Sequence, residues 1–324
     1  MATSGSVNYT QTRDQLINDS FQLIGVYGVG RTISSEDSNF AVSMLNKMVK
    51  SWQTKGLHLY TKERGVLYVT PNVSDYSLGN SSTDAYVTKE DDEVMTAVNG
   101  ALTASTAVIV LDDSTGMTAG DNIGIVLTDK TIHWTTIVTV DSSVQVTITT
   151  GILTACSDNA YVYTFTSRLN KPLRILSAQR VTGLDSGSTS TRQDIPLASV
   201  SHDEHFNLPN KQAGSIVNQF QYTPERLVGI MRLWPRPIDG SERIHFTYER
   251  QIEDLDNASD NFDFPSEWLE CLTYNLAVRL APAFGKDIKI TKGVVGIMAP
   301  VLLEDLLNWD NEITSVFLQP GRGY

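Results

Sequence analysis

Cysteine is scarce in this chain, with two in 324 residues. Cys156 and Cys271 lie far apart and show no CxxC spacing, which excludes a disulfide framework and a cysteine-built zinc site. Both read as reduced thiols, with a single bridge between them as the alternative. Long apolar runs are missing too, since no stretch reaches the roughly 18 uncharged apolar residues of a membrane span. The opening MATSGSVNYTQTRDQ has neither a basic start nor an apolar segment, so no cleaved secretion signal is expected. Basic charge is in deficit: 25 Lys and Arg stand against 37 Asp and Glu, a net charge of -12. Proteins that wrap duplex DNA neutralise phosphates with clustered lysine and arginine, so that class is excluded. An acidic surface instead lets DNA pass without sticking, because like charges repel over roughly 8 to 10 Å. No Gly-x-Ser-x-Gly elbow occurs and neither cysteine has a supporting context, so no nucleophile is specified.

With 41% hydrophobic and 19% charged residues, the chain reads as a soluble globular protein of one large or two modest domains. Thr12 and Gln15 have capping-box spacing, and Leu16, Ile17, Phe21, Leu23 and Ile24 trace one apolar face, which predicts a helix stopping near Gly25. A second helix is predicted from Ser34 or Ser35, with Ala41, Met44, Leu45, Met48, Val49 and Trp52 at three- and four-residue steps and Gly56 as its C-cap. The glycine run GVYGVGR between them, Gly25 to Arg31, follows a helical pattern and lacks a Gly-Lys-Ser/Thr ending, so it reads as an interhelix loop rather than a phosphate loop.

From Leu57 the period shortens. GVLYVT and Tyr76 to Leu78 read as strands, and residues 84–166, rich in Thr, Val and Ile with regularly spaced turn signals, read as an independent all-β sandwich or barrel. Pro172 to Val181 is a further strand, and Ile230 to Glu249 reads as a hairpin with Pro235 and Pro237 in its turn. Trp268, Leu272, Leu276 and Leu280 at four-residue steps predict a helix, and a second runs from about Lys289 to Glu312 with a bend at Pro300. The expected fold class is therefore α+β: a helical bundle built from N- and C-terminal helices around a β-rich middle, with 1–83 and 167–324 as a discontinuous core and 84–166 as an inserted β domain.

Candidate chemistry is thin. His202 and His205 could share a helix face with Asp203 or Glu204, but no motif supplies further metal ligands, so a polar turn is the plainer reading. The acidic groups Asp91-Asp92-Glu93, Asp112-Asp113 and Glu253-Asp254 could furnish a glycosidase pair, yet clusters are expected by chance among 37 acidic residues. Trp134, Tyr161, Tyr163 and Phe165 could form a sugar-binding face, although aromatics on alternating strands usually serve as core. No cofactor and no metal are expected.

The order of several runs carries more information. LIGVYGVGRTISSEDSNFAVSMLNKMVKSWQTKGLHLYT, then LYVTPNVSDYSLG, LVGIMRLWPRP and FPSEWLECLTYNLAVRLAPAFGK, over roughly residues 10–80 and 172–312, resembles the ring-forming head-to-tail adaptors, or tail tubular proteins, of short-tailed bacteriophages. Leu45, Asn46, Trp52, Gly56 and Leu57 match the passage from helix to strand; Leu233, Trp234, Pro235 and Pro237 match the hairpin. Pro265, Trp268, Asn275, Leu276, Ala277, Ala281 and Pro282 match the later helix. The resemblance implies a structural virion protein, not an enzyme, made in the host bacterial cytoplasm and placed at the head-tail junction. It implies a homo-dodecameric ring between the portal protein and a tail nozzle or tail tube protein, extending the channel through which genomic DNA passes without sequence-specific binding, and no membrane partner. Rivals are a structural tail or receptor-binding module using the β insert, and a cell-wall hydrolase of the tail. Candidate portal or protomer contacts are Phe317, Leu318, Arg322 and Tyr324 in the C-terminal tail, and Glu270 and Arg279, with Thr273, on the polar face of the helix at Trp268.

Overall fold

The computed structural model describes residues 5, 9–53, 61–81, 83–183, 191–286 and 292–309. The chain divides into two compact units, Met1–Thr61 with Ile252–Tyr324, and Lys62–Gln251. Among the described residues there are five α-helices: α1 (Arg13–Leu23), α2 (Ser35–Gln53), α3 (His202–Phe206), α4 (Trp268–Leu280) and α5 (Val294–Trp309). None is long and apolar enough to cross a membrane.

In the first unit α1 begins as its sequence dictates. Thr12 Oγ1 accepts from the Gln15 amide while Gln15 Oε1 accepts from the Thr12 amide, closing the capping box. The helix ends at Leu23, and Gly25 follows with a φ of +68°, a conformation that favours glycine. Helix α4 packs against α1, α2 and α5. Leu16, Phe21, Leu45, Trp52, Trp268, Leu272, Leu276 and Leu280 share one buried cluster, so the stripes predicted for three helices meet. Ser20 Oγ reaches the carbonyls of Leu16 (2.9 Å) and Thr273 (3.1 Å), and Asn275 Nδ2 donates to Ala299 O at 2.9 Å, which ties α4 to α1 and to α5.

The second unit is sheet. An eight-stranded sheet uses β1 (Lys62–Tyr68), β2 (Asp75–Leu78) and β3 (Val87–Lys89), then, after a six-stranded sheet of β4 (Val94–Ala97), β5 (Val108–Val110), β6 (Asn122–Val126), β7 (Ile132–Ser142), β8 (Gln145–Ile148) and β9 (Tyr161–Phe165), resumes with β10 (Arg174–Thr182), β11 (Gln193–Ser199), β12 (Gln219–Pro224), β13 (Gly229–Trp234) and β14 (Arg243–Glu249). Its strand order is β2-β13-β12-β11-β10-β14-β1-β3; that of the smaller sheet is β4-β9-β6-β7-β8-β5. The smaller sheet curls almost into a barrel, since Val98 bridges Leu111 and the Asn99 amide donates to Val110 O, linking its two edges.

Two expectations are corrected here. The α+β helical bundle enclosing a β-rich middle is not the architecture: two large curled sheets dominate, and the helices are few and short. The physical reason is that three of the four buried apolar clusters belong to the strands, so the sheets complete their own cores. The hairpin expected at Ile230 to Glu249 does not form either. Strand β13 pairs with β12 and β2, whereas β14 pairs with β10 and β1. The segment carrying Pro235 and Pro237 therefore carries the chain across the sheet instead of folding it back.

Candidate functional site

Phe317, Leu318, Arg322 and Tyr324 lie outside the described residues. Glu270 is exposed and lines an open groove of about 490 Å³ between α1 and α4, together with Asp19 and Tyr274. Arg279 is half-buried, and burial holds its guanidinium below the usual arginine range. Nine positions at 3.6 residues per turn place these two side chains on opposite sides of α4, so the helix does not bring them together. Thr273 is corrected from polar face to core: it is 8% exposed, and its hydroxyl donates to Leu269 O at 2.8 Å.

The open face of this unit lies elsewhere. On α5, Leu302, Leu303, Leu306 and Leu307 pack toward the cluster and Ala299 is buried. Val294, Ile297 and Val301, at three- and four-residue spacing, are 72%, 61% and 44% exposed. Trp309 is exposed at the helix's end. The sequence did carry this signal, because α5 is apolar nearly all round, and such a helix needs partners on more than one side.

In the sheet unit, Arg243 and His245 alternate on β14 with Ile244 and Phe246, a polar face that would ordinarily meet water. The short turn Glu90–Asp92 and Glu93 cover it. Arg243 Nη1 donates to Glu93 Oε1 at 2.9 Å, His245 Nδ1 lies 3.1 Å from Glu90 Oε1, and Tyr68 O–H donates to Glu93 at 3.2 Å. Burial pushes His245 below the ordinary histidine range, against the opposing pull of Glu93. Arg64 and Arg192 also approach Glu90, at 3.5 and 3.9 Å. The cluster pairs opposite charges across a buried sheet face, with Arg243 Nε and His245 Nε2 left without a hydrogen-bond partner. The alternating Arg-x-His in β14 was its sequence signal, lost because the covering residues lie about 150 positions away.

Three of the nominated acidic residues have structural partners. Asp92 accepts from Thr88 and Ser167, Asp113 from the amide and hydroxyl of Thr115, and Asp254 pairs with Lys50 at 2.8 Å. Among the described residues no group of histidine, cysteine and carboxylate side chains is arranged to hold a metal. Tyr163 and Phe165 are buried with Tyr68 as core, and the half-buried Trp134, Tyr86 and Tyr161 pack against them, the Tyr86 and Trp134 rings stacking at 3.9 Å. Cys156 and Cys271 are buried free thiols, with burial pushing Cys156 up to about 11 and Cys271 to about 12.

His202 and His205, nominated as a histidine pair, both line a pocket of about 330 Å³ at the end of β13, whose basic and aromatic members the sequence did not bring together. Phe206 of α3, Lys211, Arg232, Trp234, Arg236 and Asp75 also line it. The register that pairs Arg232 with Asp75 across β13 and β2 sets their side chains 3.4 Å apart, and Arg232 Nη1 also donates to Gln221 Oε1 at 2.9 Å. The run RLWPR held the signal: two arginines flanking a tryptophan in a chain poor in basic residues. No protein-family model matches the chain, and no curated protein matches it.

Proposed function

We propose that this protein is a structural subunit that assembles with copies of itself through its helical unit, as the ring adaptor between portal and tail of a short-tailed bacteriophage. The observation that carries the reading is the exposed stripe Val294, Ile297 and Val301 on α5. Three large aliphatic side chains in one line are costly to leave in water, at about 25 cal/mol per Å² of apolar surface, and a neighbouring copy would cover them. A repeated contact between unlike faces closes into a ring when its rotation divides a circle. The order of sequence runs that resembles adaptor proteins supplies the location, and the charge of -12 suits a channel through which a polyanion slides. In this reading the chain performs no catalysis.

The receptor-binding alternative gains no observation, because Tyr163 and Phe165 are buried and the half-buried Trp134 is stacked on Tyr86 against the same cluster. Negative-stain imaging of the purified full-length protein, alone and mixed with the portal, tests the proposal. Twelve-fold rings docked coaxially on the portal are expected. Trimers, spikes or monomers without portal affinity would overturn it.

A further inference from the structure

The pocket beside α3 gathers chemistry that the assembly reading does not use. Three permanent cations, Lys211, Arg232 and Arg236, line it against one carboxylate, Asp75, in a chain whose overall balance is strongly negative. Arg236 Nε is buried without a hydrogen-bond partner. Burial lowers the His205 pKa first, and the neighbouring Arg232 and Lys211 lower it further, opposed by Asp75. The anionic member is the weakest part of the pocket, since the Asp75 side chain is 57% exposed and holds Arg232 at only 3.4 Å.

Two aromatic rings sit among these cations. Phe206 is 70% exposed, an unusual place for a phenylalanine, and Lys211 Nζ lies 4.7 Å from its ring centre. Trp234 is half-buried and fixed in place by its indole N–H, which donates to Asn210 O at 2.8 Å. Rings beside guanidinium and ammonium groups are the arrangement by which proteins hold unpaired bases and their phosphates together. A pocket of about 330 Å³ lies near the small end of the range for ligand sites, on the order of 300 to 1,000 Å³.

We infer that this pocket binds a nucleotide unit, its phosphate on Lys211, Arg232 and Arg236 and its base against Phe206, supplied either by single-stranded nucleic acid or by a free nucleotide. A phosphate entering it displaces Asp75 from Arg232. The site lies within the sheet unit, so binding does not depend on ring formation.

The test is fluorescence anisotropy of the full-length protein with a labelled oligothymidylate of about ten nucleotides, competed by thymidine monophosphate and by inorganic phosphate. Binding that weakens steeply with salt is expected, with Lys211→Glu losing about tenfold or more. Asp75→Asn removes the competing carboxylate and is expected to tighten binding several-fold, roughly what one exposed ion pair is worth. Phe206→Ala weakens oligonucleotide and nucleotide but leaves phosphate competition unchanged. All three side chains are at the surface, and circular dichroism checks that each variant folds. Absence of binding at low salt overturns the inference, as does indifference to both Lys211→Glu and Asp75→Asn. Equal competition by phosphate and nucleotide with a silent Phe206→Ala would mean a simple anion site and overturns it too. Competition by the mononucleotide as effective as by the oligomer, residue for residue, would support the inference and identify the free nucleotide as sufficient.

Discussion

At the scale of single residues, the sheet unit holds close approaches that leave no room for an added methyl unless a neighbour shifts. Gly124 of β6 stands opposite Trp134 of β7, and a methyl placed on it would meet the indole ring at 2.7 Å. Gly124→Ala is therefore expected to cost about 1 to 3 kcal/mol, read as a lower thermal midpoint together with a changed near-ultraviolet tryptophan signal. An unchanged midpoint would mean that Trp134 moves freely. His245 makes a prediction in pH. Its folded-state pKa is depressed chiefly by burial, so as pH falls below about 6.5 the unfolded chain takes up the proton first. Stability is then lost from that point downward until the folded state also protonates. Urea unfolding between pH 7 and pH 5 should show this loss, and His245→Gln should flatten it; equal slopes for both proteins would refute the assignment. Acid adds a second limb through Asp113, Asp129 and Asp141, whose threonine partners hold their carboxylates below 3.8, so their stabilisation is complete above that value and fades beneath it.

At the scale of elements, α4 and α5 let folding and the proposed assembly be tested apart. Leu276 of α4 is fully buried, and Leu276→Ala should cost about 2 to 5 kcal/mol of stability. Ile297 of α5 is 61% exposed, so Ile297→Glu should leave the melting temperature of the isolated subunit nearly unchanged while preventing rings, as read by analytical ultracentrifugation. Rings that persist in Ile297→Glu would place the contact elsewhere. What the sequence discloses about these elements follows the range of the forces involved. The capping box at Thr12, the stop before Gly25 and the leucine stripe of α4 are written in neighbouring residues, and each stands where the pattern puts it. Pairing between strands is not local. Nothing within Ile230 to Glu249 tells β13 to choose β12 and β2 over β14, because that choice is made by residues far away in the chain. For the same reason β14 alone does not disclose that Glu90 and Glu93 cover Arg243 and His245, and His202, His205 and RLWPR, on separate stretches, do not disclose that they line one pocket. Thr273 illustrates a smaller limit: threonine is polar by type but satisfies its hydroxyl inside its own helix.

At the scale of the whole molecule, the sheet unit is a self-sufficient body. It holds three apolar clusters of its own, and its first and last strands are neighbours, with Lys62 opposite Glu249 in the β1–β14 ladder. Residues 62–251 expressed alone are therefore expected to fold, giving dispersed amide resonances and one cooperative melt, whereas a molten spectrum would show that the helices are required. The reverse experiment cannot be so simple, because the helical unit draws its core from both ends of the chain. That arrangement sets an order in time. A ribosome adding about 5 to 20 residues per second finishes α2 and must then build the entire sheet unit, roughly 190 residues, before α4 emerges. For on the order of ten to forty seconds Leu16, Phe21, Leu45 and Trp52 lack α4, and the apolar face it covers in the folded unit stays open to a chaperone.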